Sequence, residues 1–204
     1  MNIAIIGSGN VGGALATQWI KAGHKVLIGA KFPLSDKNKL LATQIGEEKF
    51  TSVENAIRAS EVILIATPAT AIFDIIDQMG EVADKVIIDA SNAVMKSPEP
   101  YKTVYHCLVD KTNARVVKCF NTTGFENMLN PVYGGEGIDM FMAGDDDDAK
   151  SVAKKLALDC GFGSCIDFGK SDKVELLEKL ALAWINLAIM HGQGRDIAFK
   201  VVRR

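Results

Sequence analysis

Short, wholly apolar runs alternate along the chain with stretches in which apolar positions recur at helical spacing. The runs predict strands over 2–6, 25–28, near 49–51, and over 62–65, 85–88 and 115–120. The helical pattern predicts helices over 11–21, 36–43, 53–59 and 69–79. Two further strands, 139–143 and 164–168, flank a helix over 146–158. A long helical pattern over 173–190 follows, then a short one beyond Gly194. Strands that are apolar throughout, rather than alternating, need cover on both faces. Separated by helices, they predict a doubly wound, mostly parallel α/β sheet of Rossmann type, extended by about two C-terminal strands. No repeat or low-complexity linker divides the chain. Residues 1–204 are therefore expected to form one domain, with an extended sheet over 1–170 and a helical cap over 171–204.

The joint between the first strand and the first helix reads Gly7-Ser8-Gly9-Asn10-Val11-Gly12. In that position each glycine has a physical use: Gly7 for a tight turn, Gly9 for backbone approach to a pyrophosphate, Gly12 for close helix–strand packing. The open amides at the helix start complete an anion site. A dinucleotide site selective for NAD places an acidic residue at the end of the second strand. Here that end reads Ile28-Gly29-Ala30-Lys31-Phe32, with a cation and no carboxylate. Lys31, helped by Lys37 or Lys39, would attract a 2′-phosphate, so NADP (NADPH) is the expected cofactor.

Ligands of open parallel sheets gather beyond the carboxyl ends of the strands. Three more ends carry small polar or turn-forming residues: Thr67-Pro68, Ser91-Asn92, and Asn121-Thr122-Thr123 within KCFNTTGF. Each alone is explained by turn or capping chemistry. Beside a phosphate loop, the three together predict a nicotinamide site with room for a second flat ring.

Charge and composition narrow the partners. Lys plus Arg total 23 against 25 for Asp plus Glu, a net charge of -2, so no basic excess predicts nucleic-acid binding. No run approaches the roughly 20 apolar residues of a membrane helix, and the first apolar run lacks the basic lead of a secretion signal. Cys107, Cys119, Cys160 and Cys165 have no metal-type spacing and read as core residues of a reducing, cytoplasmic protein. Asp145 to Asp148 precede a helical pattern and read as a cap, since a calcium loop spreads its ligands around a longer turn. No metal site is expected. Of His24, His106 and His191, His24 falls on the far side of the sheet, and no nucleophile–base constellation assembles; no catalytic side chain is assigned, with His191 left as a candidate proton donor. Hydride exchange between two rings demands little else, because the chemistry belongs to the rings and the protein positions them.

In combination, GSGNVG, VLIGAK, VILIATP and VVKCFNTTG resemble the NADP oxidoreductases dependent on the deazaflavin coenzyme F-420. They also resemble the NADPH-binding oxidoreductase domain of the six-transmembrane metalloreductases. The likeness continues through FMAGDDDDAKSVAKKL and VELLEKLALAWINLAIMHGQG. It implies a pyrophosphate on Gly7, Ser8, Gly9, Asn10 and Val11, a 2′-phosphate on Ala30 and Lys31, and the nicotinamide end by Thr67 and Pro68. It also places Asn121, Thr122 and Thr123 against a partner ring, a flavin or deazaflavin co-substrate. Where these families carry a Ser-Arg pair the chain has Ala30-Lys31, and where the deazaflavin enzymes tend to carry histidine it has Asn121.

Two other functions fit the same fold: reduction of an imine or hydroxyacid substrate, and a non-catalytic NADPH-sensing module. Enzymes of the first kind place catalytic groups in a substantial helical domain after the sheet, against which the 171–204 segment is short. Its apolar stripe, Leu176, Leu177, Leu180, Ala183, Trp184, Leu187 and Ile189, is wide enough to predict a homodimer interface as well as packing on the sheet.

Overall fold

The computed structural model describes every residue except 34 and 95, with the side chain of Lys37 also outside the described residues. In chain order the strands are β1 (Asn2–Ile6), β2 (Lys25–Gly29), β3 (Phe50–Thr51), β4 (Val62–Ile65), β5 (Val86–Asp89), β6 (Arg115–Cys119), β7 (Val132–Tyr133), β8 (Glu136–Gly137), β9 (Asp139–Ala143) and β10 (Ser164–Asp167). The helices are α1 (Asn10–Lys21), α2 (Asp36–Ile45), α3 (Val53–Arg58), α4 (Ile72–Ile76), α5 (Val104–Lys111), α6 (Phe125–Leu129), α7 (Asp147–Asp159) and α8 (Val174–Ile185).

The main sheet runs β10-β9-β6-β5-β4-β1-β2-β3. It is parallel from β6 to β3, as the apolar runs predict, and its central strands β1, β4 and β5 are buried almost end to end. One face packs through Leu15, Trp19, Phe120, Leu156 and Phe162. The other packs through Ile57, Ile72, Leu108, Tyr105 and Leu177, so the sheet is doubly wound. Trp19, fully buried, donates its indole N–H to Leu156 O at 3.0 Å and ties α1 to α7.

Four features differ from the sequence reading or add to it. First, β9 pairs with β6 antiparallel, and β10 follows β9. The reversal comes after the small β7–β8 hairpin, turned at Gly134 and Gly135 with φ of 59° and 88°. Second, α5 fills the interval between β5 and β6, where no helix was expected; Thr103 caps it by accepting from His106 N at 3.3 Å. Third, the helix expected over 69–79 is a 3-10 turn Ala69–Ala71 followed by the short α4.

Fourth, the expected helix beyond Gly194 does not form. Gly192 and Gly194 adopt φ of 64° and 84°, which end helical winding, and the tail is held against the rest of the chain in irregular form instead. Trp184 Nε1 and Asn127 Nδ2 both donate to Ile197 O at 2.7 Å, Arg195 pairs with Glu126, and Val201 N donates to Asp139. The 173–190 pattern itself divides into α8 and a π-helical turn, Asn186–Met190.

Asp146 caps α7, accepting from Ala149 N at 2.7 Å, while Asp147 and Asp148 occupy its first turn. Among the described residues, no helix is long and apolar enough to cross a membrane.

Candidate functional site: a cradle at the carboxyl edge of the sheet

The strand register sets Ile6, Gly29, Ile65, Asp89 and Lys118 at one level across β1, β2, β4, β5 and β6. The residues that follow them share one edge. A cavity of ≈ 550 Å³ opens there, bordered by Gly7, Ser8, Gly9, Ala30, Lys31, Thr67 and Pro68. Seven of the residues singled out in the sequence thus line one space. Asn10, Val11 and Gly12 lie just behind, in the first turn of α1, with Asn10 on a smaller adjoining groove.

The glycines of the loop do different things. Gly7 has φ of 116°, and a Cβ there would meet Ala66 O at 2.4 Å. At Gly12 a Cβ would fall 2.0 Å from Gly7 O, so only hydrogen lets α1 lie this close to the loop. Gly9 is the N-cap of α1 in ordinary extended backbone, with nothing within 4 Å of a Cβ position. Its side borders the cavity, so the fold itself sets no steric demand for glycine there. The first turn of α1 carries no acidic residue, so its partial positive charge is left for an anion.

Ser8 donates to Asn38 Oδ1 at 2.5 Å, and Asn38 Nδ2 donates to Phe32 O and Pro33 O at 3.0 Å. Asn38, buried and not anticipated from the sequence, thereby ties the glycine loop to the segment that follows Ala30 and Lys31. Lys31 is exposed at the cavity wall. Lys39 instead pairs with Asp36 at 2.6 Å, both largely exposed, and the Lys37 side chain lies outside the described residues. Asp74 and Asp77, from α4 and its C-terminal end, also border the cavity.

The remaining candidates form a second group. Ser91 N and Oγ both donate to Asp89 Oδ1, at 2.9 and 2.6 Å. Asn92 Nδ2 donates to Asn121 O at 2.9 Å, and Asn121 Nδ2 donates to Asn92 Oδ1 at 3.0 Å. Thr122 is buried with its hydroxyl against Met140 Sδ at 3.8 Å, and Thr123 Oγ1 accepts from Asn127 at 2.7 Å. Within this row, Asn121 alone presents a buried polar atom, Oδ1, without a partner; Thr67 Oγ1 is the corresponding atom on the cavity wall. Before Asn121 the chain turns through Phe120 at φ of 61°, a left-handed conformation costing an L-residue roughly 1–2 kcal/mol. Edge-on packing against Trp19 at 5.6 Å and Phe162 at 6.5 Å pins that ring. The strain is held where it turns Asn121 toward the edge of the sheet.

His24 lies at the opposite edge, between the N-terminal amine at 3.2 Å and Asp159 at 2.9 Å, and His191 is exposed beyond the π-helical turn. The cysteines are all buried and free; burial pushes the Cys160 thiol up to about 12 and Cys119 well above its ordinary value. Neither is a poised nucleophile.

A doubly wound sheet with a glycine cradle at its carboxyl edge defines a class, the Rossmann-type dinucleotide-binding folds. Residues 2–93 match the family described as NADP oxidoreductase coenzyme F420-dependent. A stretch of 102 residues is 31% identical to the glycerol-3-phosphate dehydrogenase (NAD(P)+) of Thermoanaerobacter sp. (strain X514); it covers 43% of this chain but only 30% of that enzyme. Among solved structures, an Arthrobacter sp. fb24 protein assigned as an F420-dependent NADP-reductase superposes with a TM-score of 0.85 over 100% of both chains, at 23% identity. The reductive aminase from Aspergillus terreus, solved with NADPH and ethyl-5-oxohexanoate, gives 0.66 at 20% identity, over 94% of this chain and 62% of that one. At such identities the superpositions establish the fold.

Proposed function

We propose that the protein is an NADP(H)-dependent oxidoreductase that exchanges hydride between the nicotinamide and a flavin-like or deazaflavin acceptor. The observation that carries this reading is the pairing, at one sheet edge, of the glycine cradle with two buried, unpartnered oxygens, Thr67 Oγ1 and Asn121 Oδ1. Buried polar atoms without partners are rare, and a ligand that satisfies them is the economical explanation.

The residues present fit the cofactor. The acid-free start of α1 and the open side of Gly9 suit a pyrophosphate. Lys31 supplies the cation for a 2′-phosphate, and Thr67 and Pro68 form the wall toward the nicotinamide. When bound, the cofactor supplies the hydride. The chain orients: Thr67 supplies a hydroxyl on the cavity wall, and the mutually bonded Asn92–Asn121 pair supplies an amide oxygen farther along the same sheet edge. Thr122 and Thr123, next in the chain, are held by Met140 and Asn127. Ring-to-ring transfer needs orientation more than acid–base chemistry.

We read the chain as one domain in which α8 and the tail cap the sheet. The apolar residues left exposed on that cap, Leu176, Leu182, Ile189 and Met190, support a homodimer, which sedimentation as a dimer at micromolar concentration would bear out. Four buried free thiols fit a reducing cytoplasm.

The test is to mix the protein with NADPH and a panel of flavins, deazaflavin and small imines while following NADPH absorbance. Turnover with a ring acceptor is expected. Turnover with imines alone would favour the imine-reductase reading, and tight NADPH binding without turnover would favour a sensing module.

A further inference from the structure

Lys118 sits near the carboxyl end of β6, inside the sheet, with no exposed surface. Burying an ammonium group is costly unless its protons are matched, and a lysine has three to place. Here each has an acceptor: Asp89 Oδ2 at 2.8 Å, Glu178 Oε1 at 2.6 Å and Ser91 O at 2.6 Å. The second oxygens of both carboxylates are also committed. Asp89 Oδ1 accepts from Ser91 N and Oγ, and Glu178 Oε2 accepts from Ala93 N at 3.0 Å. The chain after β5 is thus held at Ser91 by three atoms and at Ala93 by one, with Asn92 between them.

Asn92 is thereby displayed in one orientation. Its Nδ2 donates to Asn121 O, which fixes Oδ1 as the atom facing Asn121. Asn121 must then offer its own Nδ2, at 3.0 Å, and its Oδ1 is left over, buried and without a partner. The sequence of contacts runs without a gap from Glu178 on α8, through Lys118, to that oxygen.

We propose that Lys118, with Asp89 and Glu178, is a buried ionic clamp that positions the Asn92–Asn121 amide pair, making Lys118 and Glu178 positioning residues for hydride transfer. The role in transfer rests on the function proposed above; the clamp itself is a claim about the order of the pair. The clamp also gives the C-terminal cap a task in the site, since Glu178 registers α8 against the ends of β5 and β6.

The test uses Glu178→Gln and Lys118→Met in the full chain. Three quantities are followed: NADPH affinity by fluorescence, single-turnover oxidation of NADPH by flavin, and hydrogen exchange of the Asn92 and Asn121 side-chain amides by NMR. Glu178→Gln keeps its shape but loses an acceptor for Ala93 N. It is expected to leave NADPH affinity within about 2-fold, because the cradle lies elsewhere, while transfer slows on the order of 10-fold or more through misplacement. Exchange of the two amide groups should rise together. A purely structural role would lower melting temperature without splitting affinity from rate. Unchanged transfer and exchange in Glu178→Gln overturns the proposal. A wild-type protein that binds NADPH but reduces no ring acceptor overturns the function; the clamp is then decided by amide exchange alone. If Lys118→Met fails to fold, Glu178→Gln carries the decision.

Discussion

Substituting Gly9 and Gly12 separately by alanine should dissociate cofactor binding from stability. At Gly12 the added Cβ lies 2.0 Å from Gly7 O, against 3.4 Å for ordinary contact, so α1 or the loop must retreat by 3.4 − 2.0 = 1.4 Å. Overpacking of this kind costs roughly 1–3 kcal/mol, and the better helix propensity of alanine offsets up to about 1 kcal/mol. A net loss of about 1–2 kcal/mol corresponds, for a chain of this length, to a melting temperature lower by roughly 2–8 °C. The displaced loop should weaken NADPH binding as well.

Gly9→Ala is the opposite case. Its φ of -75° suits any residue, and its Cβ meets nothing within 4 Å. Stability without cofactor should therefore change by no more than about 0.5 kcal/mol. The new methyl stands where a phosphate oxygen must come within about 2.9 Å of an amide nitrogen. A tenfold or greater loss of NADPH affinity, about 1.4 kcal/mol, is expected. Thermal melts with and without NADPH give both quantities: cofactor at about 100 times its dissociation constant should stabilise the parent by roughly 2.7 kcal/mol, and the same concentration should stabilise Gly9→Ala much less. Gly9→Ala binding NADPH like the parent would refute the pyrophosphate assignment. Gly12→Ala melting like the parent would refute the packing argument.

Lys31→Ala should reduce the preference for NADPH over NADH about 5-fold, as befits one exposed charge pair worth roughly 1 kcal/mol; an unchanged ratio of dissociation constants would remove Lys31 from the 2′-phosphate site. At Asp159 burial raises the carboxyl pKa, but hydrogen bonds from Lys155 and His24 outweigh it, so the net shift is downward. Its stabilising contribution is therefore present above the unfolded value of about 3.9 and lost as pH falls through the lower folded value. Asp159→Asn should be less stable than the parent in urea at pH 7, and the difference should shrink as pH falls below the unfolded value of about 3.9; a constant difference would sink this. Finally, all four cysteines are buried, and burial raises the thiol pKa at Cys107, Cys119 and Cys160, so a thiol reagent at pH 8 should find no fast-reacting cysteine in the folded protein. A rapid stoichiometric burst would contradict it.

The parts legible in the sequence are those fixed by local rules. Apolar runs such as Val62–Ile65 must be buried on both faces, and the Gly7–Gly12 spacing has a known use between a strand and a helix. Strand direction after β6 follows no such rule. Its local cue was Gly134-Gly135, a pair suited to a tight hairpin, whose turn precedes the reversal of β9. The final helical pattern was outweighed by two glycines and by anchors on Glu126, Asn127, Asp139 and Trp184, distant in sequence.

Lys118 shows the deeper reason for what sequence reading missed. Within Arg115–Cys119 it looks like one polar residue in an ordinary strand, and its partners stand 29 and 60 residues away. Phe120 is similar: nothing about a phenylalanine announces φ of 61°, and the packing that enforces it comes from Trp19 and Phe162. Both flank the row Asn121 to Thr123, whose residue types suggested three equivalent ligand contacts. The long-range contacts make them unequal, bonding the two threonine hydroxyls to Met140 and Asn127 and leaving a single buried oxygen, Asn121 Oδ1, without a partner. Composition located the edge where a ligand would sit, whereas the selection of one atom on that edge depends on contacts that exist only once the sheet and its cap have closed.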